Sequence, residues 1–262
     1  MEGKNGIVGN NNNAPMPPGF YNADCLLEMK KFPDKFFDLG IVDPPYGINV
    51  ANHELGKIVG GGYRPFGGKT QNSVWGKHKS ISASKPYHTF DDSRQPDEGY
   101  FKELERVCKH RIIWGGNFML DYLGKASCMI VWDKGRRGLD QADCEIAWTD
   151  IPEQSRVFNW KWNGMLQENM KEKEERCHPC QKPIALYQYL LQKYAKPGDI
   201  ILDTHVGSGS SLIACERLGF KYYGYEIDPI YYAKAKERID REKAQVNMME
   251  LIKEQQTEQL TF

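Results

Sequence analysis

One segment near the carboxyl end of the chain restricts the fold more than any other. An apolar run, Ile200 to Asp203, leads through a turn with two glycines, Val206 to Gly209, into a helical pattern at 210–218. A second apolar run, Tyr222 to Ile227, follows directly. The order strand, tight turn, helix and strand predicts an α/β fold built on a mainly parallel sheet.

The same segment has the residues of a nucleoside site. Gly207 and Gly209 let the backbone approach a ligand, and amides at the start of the next helix face the ends of the strands. Glu226, at the end of the second strand, is placed to accept hydrogen bonds from ribose hydroxyls. Because position 212 is Leu rather than Gly and no Walker-type lysine follows, the pattern favours an adenosine-containing ligand smaller than NAD and disfavours ATP.

Other apolar runs and helical patterns extend the alternation of strands and helices along the chain. Helical patterns lie at 98–109 and 184–194, and Gly219 is a predicted cap for the helix at 210–218. Residues 241–262 predict a polar helix. The further predicted strands are Phe37 to Val42, Arg111 to Trp114, Cys128 to Trp132 and Glu145 to Trp148.

A second chemical motif, Asp43-Pro44-Pro45-Tyr46, directly follows the predicted strand Phe37 to Val42. Two successive prolines have no N–H, so the strand ends there and its carbonyls point outward. A carboxylate, a rigid carbonyl and an aromatic ring then lie together above the end of a strand. This cluster suits a planar ligand with an exocyclic amino group, which would donate to two acceptors and stack on Tyr46.

Charge is distributed unevenly along the chain. The 262 residues include 35 basic and 35 acidic side chains, which excludes a uniformly basic surface. Residues 51–90, however, hold six basic residues and one acidic residue among glycines and aromatic residues. The N-terminus is polar and no apolar run approaches about 18 residues, so we expect a cytoplasmic protein without a membrane segment.

The combination of Asp-Pro-Pro-Tyr with a downstream Asp-x-x-x-Gly-Ser-Gly resembles the amino-group DNA methyltransferases that use S-adenosylmethionine. Four further segments resemble ones that recur in that family, and the likeness extends over about residues 19–240. The motif order is that of the circularly permuted β-type members, and the chain looks most like the compact phage and prophage forms. The four further segments that resemble the family are Trp114 to Asn117, Trp132 to Lys134, Glu145 to Trp148 and His178 to Pro183.

The resemblance implies a Rossmann-like methyltransferase fold, with a mixed seven-stranded sheet and helices on both faces. It also implies transfer of a methyl group from S-adenosylmethionine to N6 of adenine in double-stranded DNA, with the target base flipped out. Asp43, Pro44, Pro45 and Tyr46 would form the catalytic motif, and Asp24 would contact the adenine of the cofactor. The remaining cofactor residues would be His178, Lys182, Asp203, Gly207, Ser208, Gly209, Ser210 and Glu226.

The sequence departs from the family pattern at two places. Asp203-Thr204-His205 stands where the family has Asp-Pro-Phe, which makes one wall of the cofactor pocket more polar. Cys180 stands where the family has Thr. Cys177 and Cys180 would supply only two of the four ligands of a tetrahedral metal site, and no second such pair is present, so we expect no metal.

DNA contact is expected from insertions of one catalytic domain and from further basic residues outside them. That domain would comprise residues 19–240, with insertions at 47–90 and 150–177, between a flexible N-terminus at 1–18 and the helix at 241–262. The resemblance leaves a homodimer and a restriction endonuclease partner open. The candidate phosphate contacts are Lys57, Arg64, Lys69, Lys77, Lys79, Arg136, Arg137 and Lys161.

Five alternatives to adenine methylation remain open from the sequence. Methylation of N4 of cytosine would use the same acceptors, although Asp rather than Ser before Pro-Pro-Tyr favours adenine in this family. An RNA base or a protein glutamine also offers an amino group, but enzymes for these substrates more often have Asn at the position of Asp43. A catalytically dead DNA-binding regulator and a dinucleotide oxidoreductase are the remaining two.

Overall fold

The computed structural model describes residues 14–48, 88, 93–137, 142–163 and 166–260, with the backbone alone at 247 and 249–260. The strands are β1 (Gly19–Asn22), β2 (Phe37–Val42), β3 (Cys108–Trp114), β4 (Cys128–Asp133), β5 (Cys144–Thr149), β6 (Arg156–Asn159), β7 (Trp162–Asn163), β8 (Leu166–Gln167), β9 (Ile200–Asp203) and β10 (Lys221–Glu226). The helices are α1 (Cys25–Met29), α2 (Glu98–Val107), α3 (Leu120–Leu123), α4 (Ile184–Tyr194), α5 (Ser210–Leu218) and α6 (Pro229–Leu260).

The main sheet is mixed, in the order β1-β10-β9-β2-β3-β5-β4-β6. The first five of these strands are parallel, and β5 is antiparallel to both β3 and β4. This order confirms the predicted Rossmann-like fold. The sheet has eight strands rather than the expected seven, because β6 pairs parallel with β4 and extends the edge.

Helices cover both faces of the sheet, and each face has its own buried cluster. Successive residues of a strand point to opposite faces, so Ile41 packs in one cluster and Val42 in the other. The first cluster also contains residues of α4, α5 and α6, such as Leu190, Leu212 and Ile239. The second contains residues of α1 and α2, such as Met29 and Leu104.

Several predicted elements agree closely with the structure. β2, α4 and α5 have the predicted bounds, and Gly219 ends α5 with φ of +73°. The helix predicted at 98–109 ends two residues early, because the backbone is already extended at Cys108, where β3 begins. The polar helix predicted at 241–262 is the later part of α6, which begins at Pro229.

The start of α6 has the features of a helix N-terminus. The side chain of Asp228 accepts hydrogen bonds from the amides of Ile230, at 2.8 Å, and Tyr231, at 3.0 Å. Pro229 occupies the first position of the helix, where its missing N–H costs nothing. This cap places the helix directly after β10 and Glu226.

Parts of the two predicted insertions can be located. The segment 150–177 is not a simple loop, because it contains β6 and the antiparallel pair of β7 and β8. Its proposed role in DNA binding stays a prediction. Most of the segment 47–90 lies outside the described residues, as do Lys57, Arg64, Lys69, Lys77 and Lys79. Among the residues that are described, no helix has the length and apolar character needed to cross a membrane.

Four parallel strands bring acidic residues to one edge of the sheet. Asp203 ends β9, Glu226 ends β10, Asp43 directly follows β2, and Asp24 lies two residues after β1. Because these strands are neighbours and run the same way, their carboxyl ends share one edge. In open α/β sheets this edge is where ligands bind.

Candidate active site

Asp43 occupies the turn at the end of β2, where the backbone leaves the sheet at Pro44. Its side chain is 18% exposed and both of its oxygens accept hydrogen bonds. Oδ1 accepts from the hydroxyl of Tyr46 at 2.7 Å, and Oδ2 accepts from Nζ of Lys182 at 2.5 Å. The turn therefore presents a carboxylate whose orientation is fixed by two donors.

The ring of Tyr46 is held by the segment that follows β3. It stacks on Phe118, with ring centroids 5.5 Å apart and an angle of 24° between the planes. Gly115 has φ of +66°, and a Cβ atom there would lie 2.2 Å from the Tyr46 ring. Nε2 of Gln95 donates to the backbone carbonyls of Tyr46, at 3.1 Å, and Phe118, at 2.9 Å.

Lys182 links the turn to a buried chain of charges. Its side chain is 3% exposed, and Nζ lies 3.0 Å from Oε2 of Glu145 and 3.1 Å from the Tyr46 hydroxyl. Oε1 of Glu145 accepts a short hydrogen bond from Lys134, which is also buried. Alternating charges thus extend from Asp43 through Lys182 and Glu145 to Lys134.

Charge pairing outweighs burial for two members of this chain. Burial alone would raise the pKa of Glu145, but Lys182 and Lys134 lower it to about 2. Burial alone would lower the pKa of Lys182, but Asp43 and Glu145 raise it above its usual value. Burial raises the pKa of Tyr46 well above its ordinary value, and the carboxylates of Asp43 and Glu145 raise it further. Near neutral pH, Glu145 and Lys182 are therefore ionised and Tyr46 is neutral.

The glycine loop between β9 and α5 lies beside this turn, at the end of the neighbouring strand. Gly207 and Gly209 have φ of +54° and +83°, values that side chains rarely adopt. Asp203 is buried and accepts from the hydroxyl of Ser211 and from the amide of His205, the latter at 3.0 Å. Burial raises the pKa of Asp203 to about 7.

Glu226 joins the glycine loop to the end of β10. Its carboxylate accepts from the amide of Gly207 at 2.8 Å and from the amide of Asp228 at 2.9 Å. Burial raises its pKa, although these amides act in the opposite direction. Asp24 is exposed and caps α1, accepting from the amide of Leu26 at 2.8 Å.

The other predicted cofactor residues take different places. The ring of His178 packs on Tyr231, with centroids 4.3 Å apart, and lies beside Gly207. Burial and the nearby charge of Lys182 lower the pKa of His178 to about 3, so the ring is neutral. Ser208 and Ser210 are buried; Arg238 donates to the carbonyl of the former at 3.0 Å and to the hydroxyl of the latter at 2.9 Å. Lys182 contacts Asp43 and Glu145, and its expected place near the methionine end of the cofactor stays a prediction.

Thr204 and His205, which replace the Pro-Phe of the family pattern, form hydrogen bonds within the protein. The hydroxyls of Thr204 and Tyr100 are 2.7 Å apart, and Thr204 Oγ1 lies 2.9 Å from Nδ1 of His205. Burial lowers the pKa of His205 to about 4, so this ring is neutral as well. The wall is therefore polar in composition but uncharged near neutral pH.

Three of the residues predicted to contact phosphates, Arg136, Arg137 and Lys161, lie among the described residues. Arg137 is 77% exposed and pairs with Asp133 at 2.5 Å. Arg137 and Lys161 line one shallow depression together with Trp160. Arg136 is partly buried, and burial lowers its pKa.

Sequence reasoning missed four residues that shape the site: Gln95, Phe118, Lys134 and Glu145. The last two lie in the Trp132 to Lys134 and Glu145 to Trp148 segments, which carry the family resemblance but had no assigned role. Gln95 and Phe118 have no signal in the sequence, because their importance depends on contacts with Tyr46. All seven cysteines are free thiols. Within the described ranges no three metal-ligating side chains come together.

Comparison with known proteins agrees with this geometry. Residues 133–237, from the end of β4 into α6, match the DNA methylase family of the N6/N4 type. This part of the chain is similar to that family. This segment contains Lys134, Glu145, Lys182 and the whole glycine loop, whereas the Asp43 turn precedes it.

Two curated relatives match most of this chain. YubD of Escherichia coli K12 is 24% identical over 227 residues, which cover 84% of this chain and 89% of that one. The type II methyltransferase M.HinfI of Haemophilus influenzae is also 24% identical, over 88% of this chain and 70% of its own. Among solved structures, the M1.HpyAVI complex with S-adenosylmethionine is 18% identical with a TM-score of 0.48, covering 84% of this chain and 98% of that one.

Proposed function

We propose that this methyltransferase transfers a methyl group from S-adenosylmethionine to N6 of adenine in double-stranded DNA. One observation carries the proposal: the Asp43 turn and the glycine loop follow adjacent parallel strands, β2 and β9. A cofactor in the loop and a base at the turn would therefore meet at one edge of the sheet. The family match and the amino-acceptor chemistry of the turn both support this assignment.

The reaction needs little from the protein beyond acceptors and alignment. The amino nitrogen of the base forms a bond to the methyl carbon as the bond from that carbon to the sulfonium sulfur breaks. N–H groups donating to the Asp43 carboxylate and the Pro44 carbonyl would aim the nitrogen lone pair at the methyl group. Alignment of this kind contributes roughly 7–11 kcal/mol in favourable cases. Positive charge that develops on nitrogen is stabilised by the nearby carboxylate.

Tyr46 would provide the stacking surface for the target base. The amino group is inaccessible within a duplex, so the base must leave the stack. Phe118 covers one face of the Tyr46 ring, so the base would need the opposite face. The hydrogen bond from the Tyr46 hydroxyl to Asp43 would keep ring and carboxylate in one arrangement. Pro45 would rigidify the turn between them.

The cofactor is S-adenosylmethionine, and the residues along the edge of the sheet fit its parts. Glu226 would accept from the ribose hydroxyls with the lone pairs that the Gly207 and Asp228 amides leave free. Asp24 would contact the adenine. The methionine end would lie along the glycine loop near Asp203 and His178.

DNA would be held by basic residues around the target site. Arg137 and Lys161 lie on one depression and are suited to phosphate contacts. Arg136 and the basic residues of 51–90 would add to them. Because the overall charge is balanced, we expect affinity for DNA to be confined to one face and to depend on salt.

Expression in a methylation-deficient host, followed by modification-sensitive sequencing of the host DNA, tests the proposal. We expect N6-methyladenine at one short sequence, and none when Asp43→Ala is expressed at the same level. Asp34→Asn is the matched control, since this exposed carboxylate pairs with Arg106 outside the site. If N4-methylcytosine were found instead, the target base would be cytosine rather than adenine. Modified RNA or protein with unmodified DNA would overturn the assignment, and unmodified DNA with DNA binding intact would indicate a regulator.

A further inference from the structure

The buried chain of charges behind Asp43 joins four distant parts of the sequence. Asp43 follows β2, Lys134 follows β4, Glu145 lies on β5, and Lys182 precedes α4. Side chains of alternating charge meet at 2.5 Å between Asp43 and Lys182 and at 3.0 Å between Lys182 and Glu145. The short contact between Glu145 and Lys134 completes the chain.

Glu145 is the only described residue in this chain of charges that contacts both lysines. Its Oε2 lies 3.0 Å from Nζ of Lys182 and 3.4 Å from the Tyr46 hydroxyl, and its Oε1 accepts from Lys134. Lys182 is therefore shared between two carboxylates, Asp43 and Glu145. Without Glu145, this buried ammonium would have Asp43 as its one carboxylate partner within the chain.

We propose that Glu145 is a positioning residue for the methyl acceptor: it draws Lys182 partly away from Asp43, so that the Asp43 carboxylate stays oriented yet keeps capacity to accept from the target amino group. This inference rests on the proposed function of Asp43. Each carboxylate oxygen has two acceptor sites, and Tyr46 and Lys182 occupy one on each oxygen. Loss of Glu145 would strengthen the hold of Lys182 on Asp43, in competition with the amino group of the base.

A purely structural role for Glu145 has a different consequence. Glu145 would then serve only to neutralise buried Lys134, and removal of both partners together would restore the protein. Breaking one side of a buried pair destabilises strongly, whereas replacing both partners with neutral groups of similar volume is often nearly neutral. The double variant Glu145→Gln/Lys134→Met separates the two roles.

The experiment measures kcat, the KM for S-adenosylmethionine and the Tm of four purified proteins on a duplex that contains the recognised site. The proteins are wild type, Glu145→Gln, Lys134→Met and the double variant. Both proteins that lack Glu145 are expected to lose kcat by roughly 100-fold, the scale of a misaligned reacting group, with an unchanged KM for the cofactor. Only the double variant should recover the Tm of the wild type.

Asp150→Asn is the control for loss of a paired carboxylate elsewhere. Asp150 pairs with Arg111 at 2.8 Å, outside the charge chain, so its loss should lower Tm with kcat unchanged. A double variant with wild-type kcat, or Glu145→Gln with wild-type kcat, would overturn the positioning role. Wild-type protein that methylates no DNA would instead overturn the proposed function, and this inference with it.

Discussion

Asp43 has a donor on each carboxylate oxygen, and under the proposed function this arrangement would let it orient an amino group without acting as a strong base. Lys182 and Tyr46 hold it in place at 2.5 and 2.7 Å. A carboxylate that is fixed in this way orients an amino group by accepting from it, and the methylated amine can lose its proton afterwards. The contacts of single residues would therefore set the geometry of the proposed reaction.

Tyr46 has two functions that substitution can separate. Tyr46→Phe removes the hydroxyl bonded to Asp43 but retains the ring, whereas Tyr46→Ala removes both. Because stacking of a base on an aromatic ring contributes about 1–3 kcal/mol, Tyr46→Ala should weaken binding of flipped-base DNA by roughly 5- to 150-fold. Tyr46→Phe should bind nearly as wild type but turn over more slowly. Fluorescence of 2-aminopurine at the target position measures the flipped base, and equal losses in both variants would contradict the separation.

Asp203 gives the folded protein a defined dependence on pH. Its folded pKa of about 7 lies above the ordinary value of 3.8, because burial disfavours the ionised form. The stabilising contribution of the protonated carboxyl is thus complete below about pH 4 and is lost as the pH rises through 7. Asp203→Asn should remove this loss of stability between pH 4 and 8. Urea unfolding of both proteins at several pH values checks it, and an unchanged pH slope would contradict the assignment.

At the scale of elements, the short segment after β3 determines where Tyr46 lies. Gly115→Ala would place a Cβ atom 2.2 Å from the ring and would also strain the backbone at φ of +66°. Gly219, which ends α5, is also in the left-handed region with φ of +73°, but no atom lies within 4 Å of such a Cβ, so Gly219→Ala imposes the same backbone strain alone. We expect both to lose about 1–2 kcal/mol of stability from the backbone, and only Gly115→Ala to lose methylation, by at least about tenfold. Equal activity of the two variants would show that Gly115 does not position Tyr46.

The sequence predicted elements best where local patterns and packing agree. β2, α4 and α5 combine an apolar pattern with a clear start or end, such as the prolines after Val42 or Gly219. The end of α2 was placed two residues late, because helix and strand are continuous at Cys108 and no breaker separates them. Strand β6 was missed, since its four residues gain their stability from pairing with β4 rather than from their own pattern.

The same distinction applies to the site. The Asp43 turn and the glycine loop could each be identified from the sequence, because the residues within each motif are adjacent in the chain. The charge chain could not, because Glu145 and Lys182 are far apart in sequence and meet only when β5 and the start of α4 pack together. The contacts of Lys182 with Asp43 and Glu145 therefore come from the structure alone, and its expected place near the methionine end of the cofactor stays a prediction.

At the scale of the whole molecule, balanced overall charge implies that DNA binding depends on a few local contacts. The logarithm of the association constant should fall linearly with the logarithm of salt concentration, with a slope near 0.9 for each phosphate contact on duplex DNA. Arg137→Ala and Lys161→Ala should each reduce that slope by about 1, with little change in Tm because both side chains are exposed. Fluorescence anisotropy at several salt concentrations measures the slope. Slopes identical to wild type would remove both residues from the DNA surface.

Under the proposed function, the turn at the end of β2 holds an amino group of DNA for methylation by a cofactor bound at β9. Nucleoside mass spectrometry after incubation of purified protein with labelled S-adenosylmethionine and methylation-free duplex tests it most directly. We expect labelled N6-methyladenine with wild type and none with folded Asp43→Ala. No labelled nucleoside from folded wild-type protein, or equal label with Asp43→Ala, would contradict it.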